Sequence, residues 1–113
     1  MDKNIKMVRG DTLSFGIEYE FDDGSTQDLE TCYFSCKKNP DDTEYIFQKS
    51  LSDGISKVAN NQYRVRVAPT DTENVDIGNY YYDFQIGLNS DIFTIAKGVL
   101  KIEREITRWL YEY

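Results

Sequence analysis

The chain of 113 residues contains no histidine, two cysteines, two prolines and one tryptophan. Without histidine, serine–histidine and cysteine–histidine nucleophile pairs and histidine-ligated metal sites are excluded. No stretch is apolar for long enough to cross a bilayer, and the first residues show no signal-peptide pattern, so we expect no membrane partner. No phosphate-binding glycine loop and no calcium-loop motif occurs, so we expect no metal and no other cofactor.

Acidic side chains outnumber basic ones by 20 to 13, which gives a net charge of −7. An acidic surface is repelled by phosphate backbones, so nucleic acid is not an expected partner. Hydrophobic residues make up 40% of the chain and aromatic residues 14%, which is too many for a disordered protein. The length suits one domain, which we place at residues 1–106, followed by an aromatic tail at 107–113.

The two cysteines, Cys32 and Cys36, lie four positions apart in a strand-like segment. On an extended strand they would be about 13 Å apart. A disulfide requires Cα atoms within about 7 Å. We therefore predict two reduced, buried thiols, which suits synthesis in a cytoplasm.

Apolar residues recur at every second position along most of the chain, which is the period of a half-buried strand. In 62–67, for example, Tyr63, Val65 and Val67 alternate with Arg64 and Arg66. Strand runs without intervening helices predict an all-β sandwich or barrel. The predicted strands lie near 12–21, 31–38, 62–67, 79–87 and 91–103, and shorter segments raise the total to seven or eight.

Two local motifs refine this fold class. Residues 76–80 have the D-x-G-x-Y form of a tyrosine corner, in which the Tyr80 hydroxyl bonds to backbone upstream. It favours an immunoglobulin-like antiparallel β-sandwich, although Gly78 and Tyr80 also suit a plain turn and core residue. Thr70 and Glu73 have capping-box spacing, which predicts one short helical turn near 71–75.

The last strand contains a change of phase. Phe93 and Ile95 are odd-numbered, whereas Leu100 and Ile102 are even-numbered. A strand of strict period two cannot bury both pairs on one face. The sequence therefore predicts a bulge at Gly98 or a break in pairing near it.

The candidate binding residues are an outward tyrosine, Tyr81, and the outward arginines Arg64 and Arg66, which would lie beside it if their strands are neighbours. Exposed tyrosine with arginine is typical of protein interfaces and also of sugar-binding platforms. Ordinary packing of a half-covered ring on a sheet face is the alternative interpretation.

The C-terminal tail is unusually aromatic for a chain end and contains Trp109, Leu110, Tyr111 and Tyr113. Such a segment is expected to dock on protein. We expect Trp109 and Tyr111 to contact a second chain. The alternative is that the tail folds back and covers its own sandwich.

The chain resembles a group of small phage and prophage proteins. The resemblance is carried by the Met7–Thr12 opening, the Tyr81-Tyr82-Asp83 strand, the glycine-punctuated last strand with Gly98, and the Ile106-Thr107-Arg108 ending. It covers most of the chain and consists of strand and turn signatures. The residues 109–113 extend beyond the shared pattern.

That resemblance implies an immunoglobulin-like tail, baseplate or other virion component with no enzymatic activity. The expected partners are identical protomers or other virion proteins, in a homo-oligomer or a larger assembly. The expected location is the virion, and the host cytoplasm during assembly. A carbohydrate-binding module for host cell-wall sugars is the second hypothesis, and a small hydrolase with close carboxylates is the third.

Overall fold

The computed structural model describes residues 3–106. They form eight strands and one short helix. In chain order these are β1 (Ile5–Val8), β2 (Leu13–Glu18), β3 (Thr31–Lys37), β4 (Phe47–Ser50), β5 (Ile55–Ala59), β6 (Gln62–Val67), α1 (Pro69–Thr72), β7 (Gly78–Leu88) and β8 (Asp91–Glu103). The predicted long second strand, 12–21, is therefore shorter than expected.

The strands form two sheets, one with the order β1-β8-β7-β3-β4 and the other with the order β2-β6-β5. Side chains from both sheets meet in one core, which confirms the predicted β-sandwich. The strand order is consistent with an immunoglobulin-like arrangement, in which strands B, E and D form one sheet and C, F and G the other. One pair departs from the antiparallel prediction, since β1 runs parallel to β8.

The core lies where the inward faces of the two sheets meet. Phe34 is fully buried at its centre, with ring centroids 5.3 Å from Phe15, 5.8 Å from Phe47, 5.5 Å from Tyr82 and 5.9 Å from Phe84. Edge-on and tilted contacts of this kind stabilise aromatic clusters beyond the burial of area. The predicted period of two therefore places the correct residues inside.

Tyr80 forms the predicted tyrosine corner. Its hydroxyl donates a hydrogen bond of 2.5 Å to the Asp76 carbonyl oxygen, and its ring is 2% exposed. Gly78, between them, has φ +146°, a conformation that L side chains rarely adopt. The motif therefore fixes the chain where it enters β7.

The predicted change of phase in β8 is present, but the extra residue is Ile95 and not Gly98. Phe84 pairs with Ala96, whereas Gln85 pairs with Thr94. Gly98 has a different role, because a Cβ there would overlap the Lys3 carbonyl group. That carbonyl also accepts a hydrogen bond from the Tyr82 hydroxyl, so glycine at 98 lets the start of the chain approach β8.

The helical turn begins two residues earlier than predicted. Pro69 occupies the first helical position, which suits its fixed φ and its lack of an N–H. The Asp71 carboxylate accepts a hydrogen bond of 2.7 Å from the Ala68 N–H. In a capping box, the side chain of the third helical residue accepts a hydrogen bond from the N-cap N–H. Asp71 fills this role here, whereas the sequence predicted Glu73.

Cys32 and Cys36 are buried and unbonded, as predicted. Burial raises the pKa of each thiol from 9.0 to about 12. We expect both thiols of the native protein to resist alkylation at neutral pH and to react fully in denaturant without reductant, because the thiolate is the reactive form. Mass spectrometry after timed alkylation measures this. A pair that reacts only after reduction would contradict it.

Candidate functional site

The outer face of the five-stranded sheet carries three exposed tyrosines, and we call it the tyrosine face. Tyr33 on β3 is 36% exposed, Tyr81 on β7 is 46% exposed, and Tyr45, just before β4, is 48% exposed. Tyr33 and Tyr81 alternate along their strands with core residues, so the pleat itself directs both outward. Two of the three rings therefore stand on a rigid hydrogen-bonded sheet.

The three tyrosines line an open groove of about 960 Å³. Polar side chains complete its walls: Ser35, Lys37, Gln48, Asp83, Gln85 and Lys97. The Gln48 amide donates a hydrogen bond of 3.0 Å to the Ser35 hydroxyl, and the Lys37 ammonium lies 5.1 Å from the centre of the Tyr45 ring. The groove thus combines aromatic rings with both donors and acceptors of hydrogen bonds.

Asp83 lies at the centre of this surface. It is paired in register with Ser35 on one side and with Lys97 on the other. Burial raises the pKa of the Asp83 carboxyl, and the nearby charge of Lys37 opposes that rise only in part. Asp83 lines the groove, and within residues 3–106 it forms no ion pair.

The tyrosine face is rich in lysine although the whole chain carries a net charge of −7. Lys6 and Lys101 are directly opposite each other on β1 and β8, and both are exposed. Lys37 and Lys97 lie closer to the tyrosines. Like charges directly opposite each other oppose strand pairing. A cluster of exposed ammonium groups attracts acidic groups on a partner.

The structure separates the predicted arginines from Tyr81. Arg64 and Arg66 are exposed on β6, in the three-stranded sheet, whereas Tyr81 is on β7 in the other sheet. The two sets of side chains therefore point away from opposite sides of the sandwich, and the prediction that they line one surface is wrong. Arg64 instead donates a hydrogen bond of 3.2 Å to the Ser14 hydroxyl on the neighbouring strand.

The tail residues Trp109, Leu110, Tyr111 and Tyr113 lie outside the described residues, so their contact with a second chain stays a prediction. Sequence analysis missed Tyr33, Tyr45 and Asp83 as members of one surface. Tyr33 could have been predicted to point outward, because it lies between Cys32 and Phe34, which are buried on the other face of the strand. No comparable signal showed that β3 and β7 are neighbours, because that pairing joins distant segments of the chain.

No group of three or more cysteine, aspartate or glutamate side chains within residues 3–106 is arranged to hold a metal ion. In the same part of the chain, no helix is long and apolar enough to span a membrane.

Comparison with known proteins adds no family to this description. No family model matches the chain, and no curated protein is significantly similar to it in sequence.

Proposed function

We propose that the protein is a non-enzymatic structural or adaptor component of a bacteriophage or prophage particle, and that it acts by protein–protein contact through the tyrosine face. The observation that carries the proposal is the set of three exposed tyrosines around one open groove. The phage setting comes from the strand and turn signatures of the sequence.

Tyrosine is among the residues most enriched at binding hot spots, because its ring buries a large area and its hydroxyl can still form a hydrogen bond. Tyr33 and Tyr81 are held on two adjacent, paired strands. Rings on a rigid surface lose little conformational entropy when a partner binds. The face is therefore preorganised for a protein contact.

The charge of the face favours an acidic partner. Identical protomers offer such groups, since the acidic pairs 22–23 and 41–42 lie in connecting segments of the same chain. Another virion protein with an acidic surface would be recognised by the same chemistry. Attraction between unlike charges that stay partly exposed is screened by salt, so association should weaken as ionic strength rises.

The double variant Tyr33→Ala/Tyr81→Ala tests the proposal. We expect it to keep its far-ultraviolet circular dichroism spectrum. Its affinity in self-association, or its incorporation into particles, should fall by about thirtyfold or more, which is the effect of removing one hot-spot residue. Arg64→Ala/Arg66→Ala on the opposite sheet is the matched control and should behave like the natural protein. Sedimentation velocity and the protein content of purified particles provide the measurements.

Equal incorporation of both variants would contradict a protein contact at this face. Carbohydrate binding is the alternative, and the amides of Gln48 and Gln85 beside exposed rings favour it. Binding of the natural protein to cell-wall sugars on a glycan array, lost in Tyr81→Ala, would support that alternative.

A further inference from the structure

The first half of β8 has an open outer edge. On its inner side, β7 pairs with residues 91–102, but on its outer side β1 pairs only with residues 100–103. The Lys3 N–H extends that outer contact by donating to the Lys97 carbonyl oxygen at 2.9 Å. Within residues 3–106, no strand pairs with the outer edge of 91–96. This segment is therefore the end of a sheet with main-chain groups left for another strand.

Most features that usually prevent further pairing are missing from this edge. Proline, lysine and arginine are absent from 91–96, and the one bulge lies near the end of the segment, at Ile95. Two neighbouring apolar side chains are instead left uncovered, since Ile92 is 62% exposed and Phe93 is 47% exposed. An exposed apolar edge of this kind is a template for pairing with a strand of another chain.

Two residues of the segment direct their main-chain groups toward the open edge. After the bulge, odd-numbered residues point away from β7, because the Lys97 carbonyl oxygen accepts its bond from Lys3 on the outer side. The extra residue of the bulge reverses this alternation, so before it the even-numbered residues point outward. The N–H and carbonyl groups of Ile92 and Thr94 therefore face the open edge.

The segment is complementary to itself in an antiparallel pair. When Phe93 lies opposite Phe93 of a second copy, Ile92 of each chain lies opposite Thr94 of the other. These outward residues then exchange N–H and carbonyl hydrogen bonds in both directions. Phe93 shares a face of the sheet with Ile86, its partner on β7, so the two Phe93 rings meet on that face. Their contact covers aromatic surface that is exposed in the single chain.

The charges at the two ends of the segment also favour an antiparallel pair of identical chains. The tip of the β7–β8 hairpin is acidic, since Asp91 is exposed and Glu30 accepts a hydrogen bond of 2.6 Å from the Asn89 N–H. The other end is basic, because Lys97 and Lys3 are both exposed there. An antiparallel pair places the acidic end of each segment beside the basic end of the other, whereas a parallel pair would bring like charges together.

We propose that two copies of this chain associate through residues 91–94 of β8, as antiparallel neighbours about a two-fold axis at Phe93. The pairing joins the two five-stranded sheets into one continuous sheet. The axis is perpendicular to that sheet, so the tyrosine faces of both copies lie on the same side. The contact is separate from the tyrosine face, and it presents two such faces together, which strengthens binding to a partner that carries two sites.

A cysteine at position 93 tests both the occupant and the register. The Cα atoms of a non-hydrogen-bonded antiparallel pair are about 4.5 Å apart, which a disulfide can span. Phe93→Cys should therefore form a covalent dimer in oxidised glutathione at least about tenfold faster than the matched control Ile92→Cys. In the control, the two cysteines are offset by two residues along the strands, which places their Cα atoms more than about 7 Å apart. Non-reducing gel electrophoresis over time measures both rates.

Sedimentation velocity of the chain without added cysteines tests the main-chain bonds. Thr94→Pro removes an N–H that faces the open edge and leaves the pairing with β7 unaffected, so it should weaken the dimer at least about tenfold. The matched control Thr94→Val keeps the N–H and the strand propensity, and should dimerise like the natural protein. Far-ultraviolet circular dichroism verifies an intact sandwich in each variant.

Equal cross-linking rates for Phe93→Cys and Ile92→Cys would overturn the proposal, as would a natural protein that sediments as a monomer at every concentration. Phe93→Cys should also cross-link in the Tyr33→Ala/Tyr81→Ala background, since the tyrosine face takes no part in the pairing. Loss of cross-linking in that background would overturn the proposal too. Cross-linking that persists there while incorporation into particles is unchanged would contradict only the function proposed for the tyrosine face.

Discussion

Replacing Phe34 by alanine should lower the free energy of unfolding by about 3–5 kcal/mol. Phe34 is fully buried, and four other aromatic rings lie within 6 Å of it by centroid distance. Its removal leaves a cavity between two hydrogen-bonded sheets, which cannot close without moving both. Urea denaturation followed by circular dichroism measures the loss.

The neighbouring Tyr33→Ala is the matched control for that prediction. Tyr33 is an aromatic residue of the same strand, but it points outward and is 36% exposed. We expect a loss of about 1 kcal/mol or less, as at most surface positions. Similar losses for Phe34→Ala and Tyr33→Ala would show that the two faces of β3 have been assigned incorrectly.

Asp71→Ala should also destabilise the fold, by about 3–5 kcal/mol, because it removes a partner from a buried charge. The Lys49 side chain is 5% exposed, and its ammonium lies 3.0 Å from Asp71 and 3.1 Å from Asp53. Asp71 also caps the Ala68 N–H. The Asp53 side chain is 66% exposed, so it compensates little and Asp53→Ala should cost about 0–1 kcal/mol.

A double-mutant cycle separates the ion pair from the cap. Lys49→Met should be close to neutral, since an apolar side chain of similar size needs no partner. In the Lys49→Met background, Asp71→Ala should cost only the cap, about 1 kcal/mol. Equal costs of Asp71→Ala in both backgrounds would show that Lys49 and Asp71 are not coupled.

The pH dependence of this pair follows from the lysine. Burial lowers the pKa of Lys49, but hydrogen bonds to Asp71 and Asp53 outweigh burial and raise the pKa above 10.5. A raised folded-state pKa contributes stability that is complete below the unfolded-state value and is lost as the pH rises through the folded-state value. The stability that the Lys49 charge contributes should therefore be retained up to its ordinary pKa and be lost in strong alkali.

Alternation predicted the faces of the strands because the pleat converts odd and even numbering directly into inward and outward side chains. Tyr63 and Arg64 are adjacent in sequence and opposite in exposure, as expected. The phase change in β8 was also visible, but its site was not. A glycine can signal either a bulge or a close approach of backbone, and Gly98 is the second case.

The assignment of strands to sheets could not be predicted from the sequence. That assignment determines which outward residues share the candidate site. β6 and β7 are separated only by α1 and its connections, yet they belong to different sheets. Alternating strands suit either sheet equally well, because both sheets bury one face. In the structure, Tyr81 therefore shares its surface with Tyr33 through the β3–β7 pairing, and not with Arg64 and Arg66 as predicted.

Photo-cross-linking in assembled particles tests the proposed function most directly. A photoreactive phenylalanine analogue replaces Tyr81 in one preparation and Arg64 in another, and cross-linked chains are identified by mass spectrometry. The account predicts a cross-link from position 81 to an identical protomer or another virion protein, and none from position 64. Particles that lack the chain, or cross-links from position 64 alone, would contradict it.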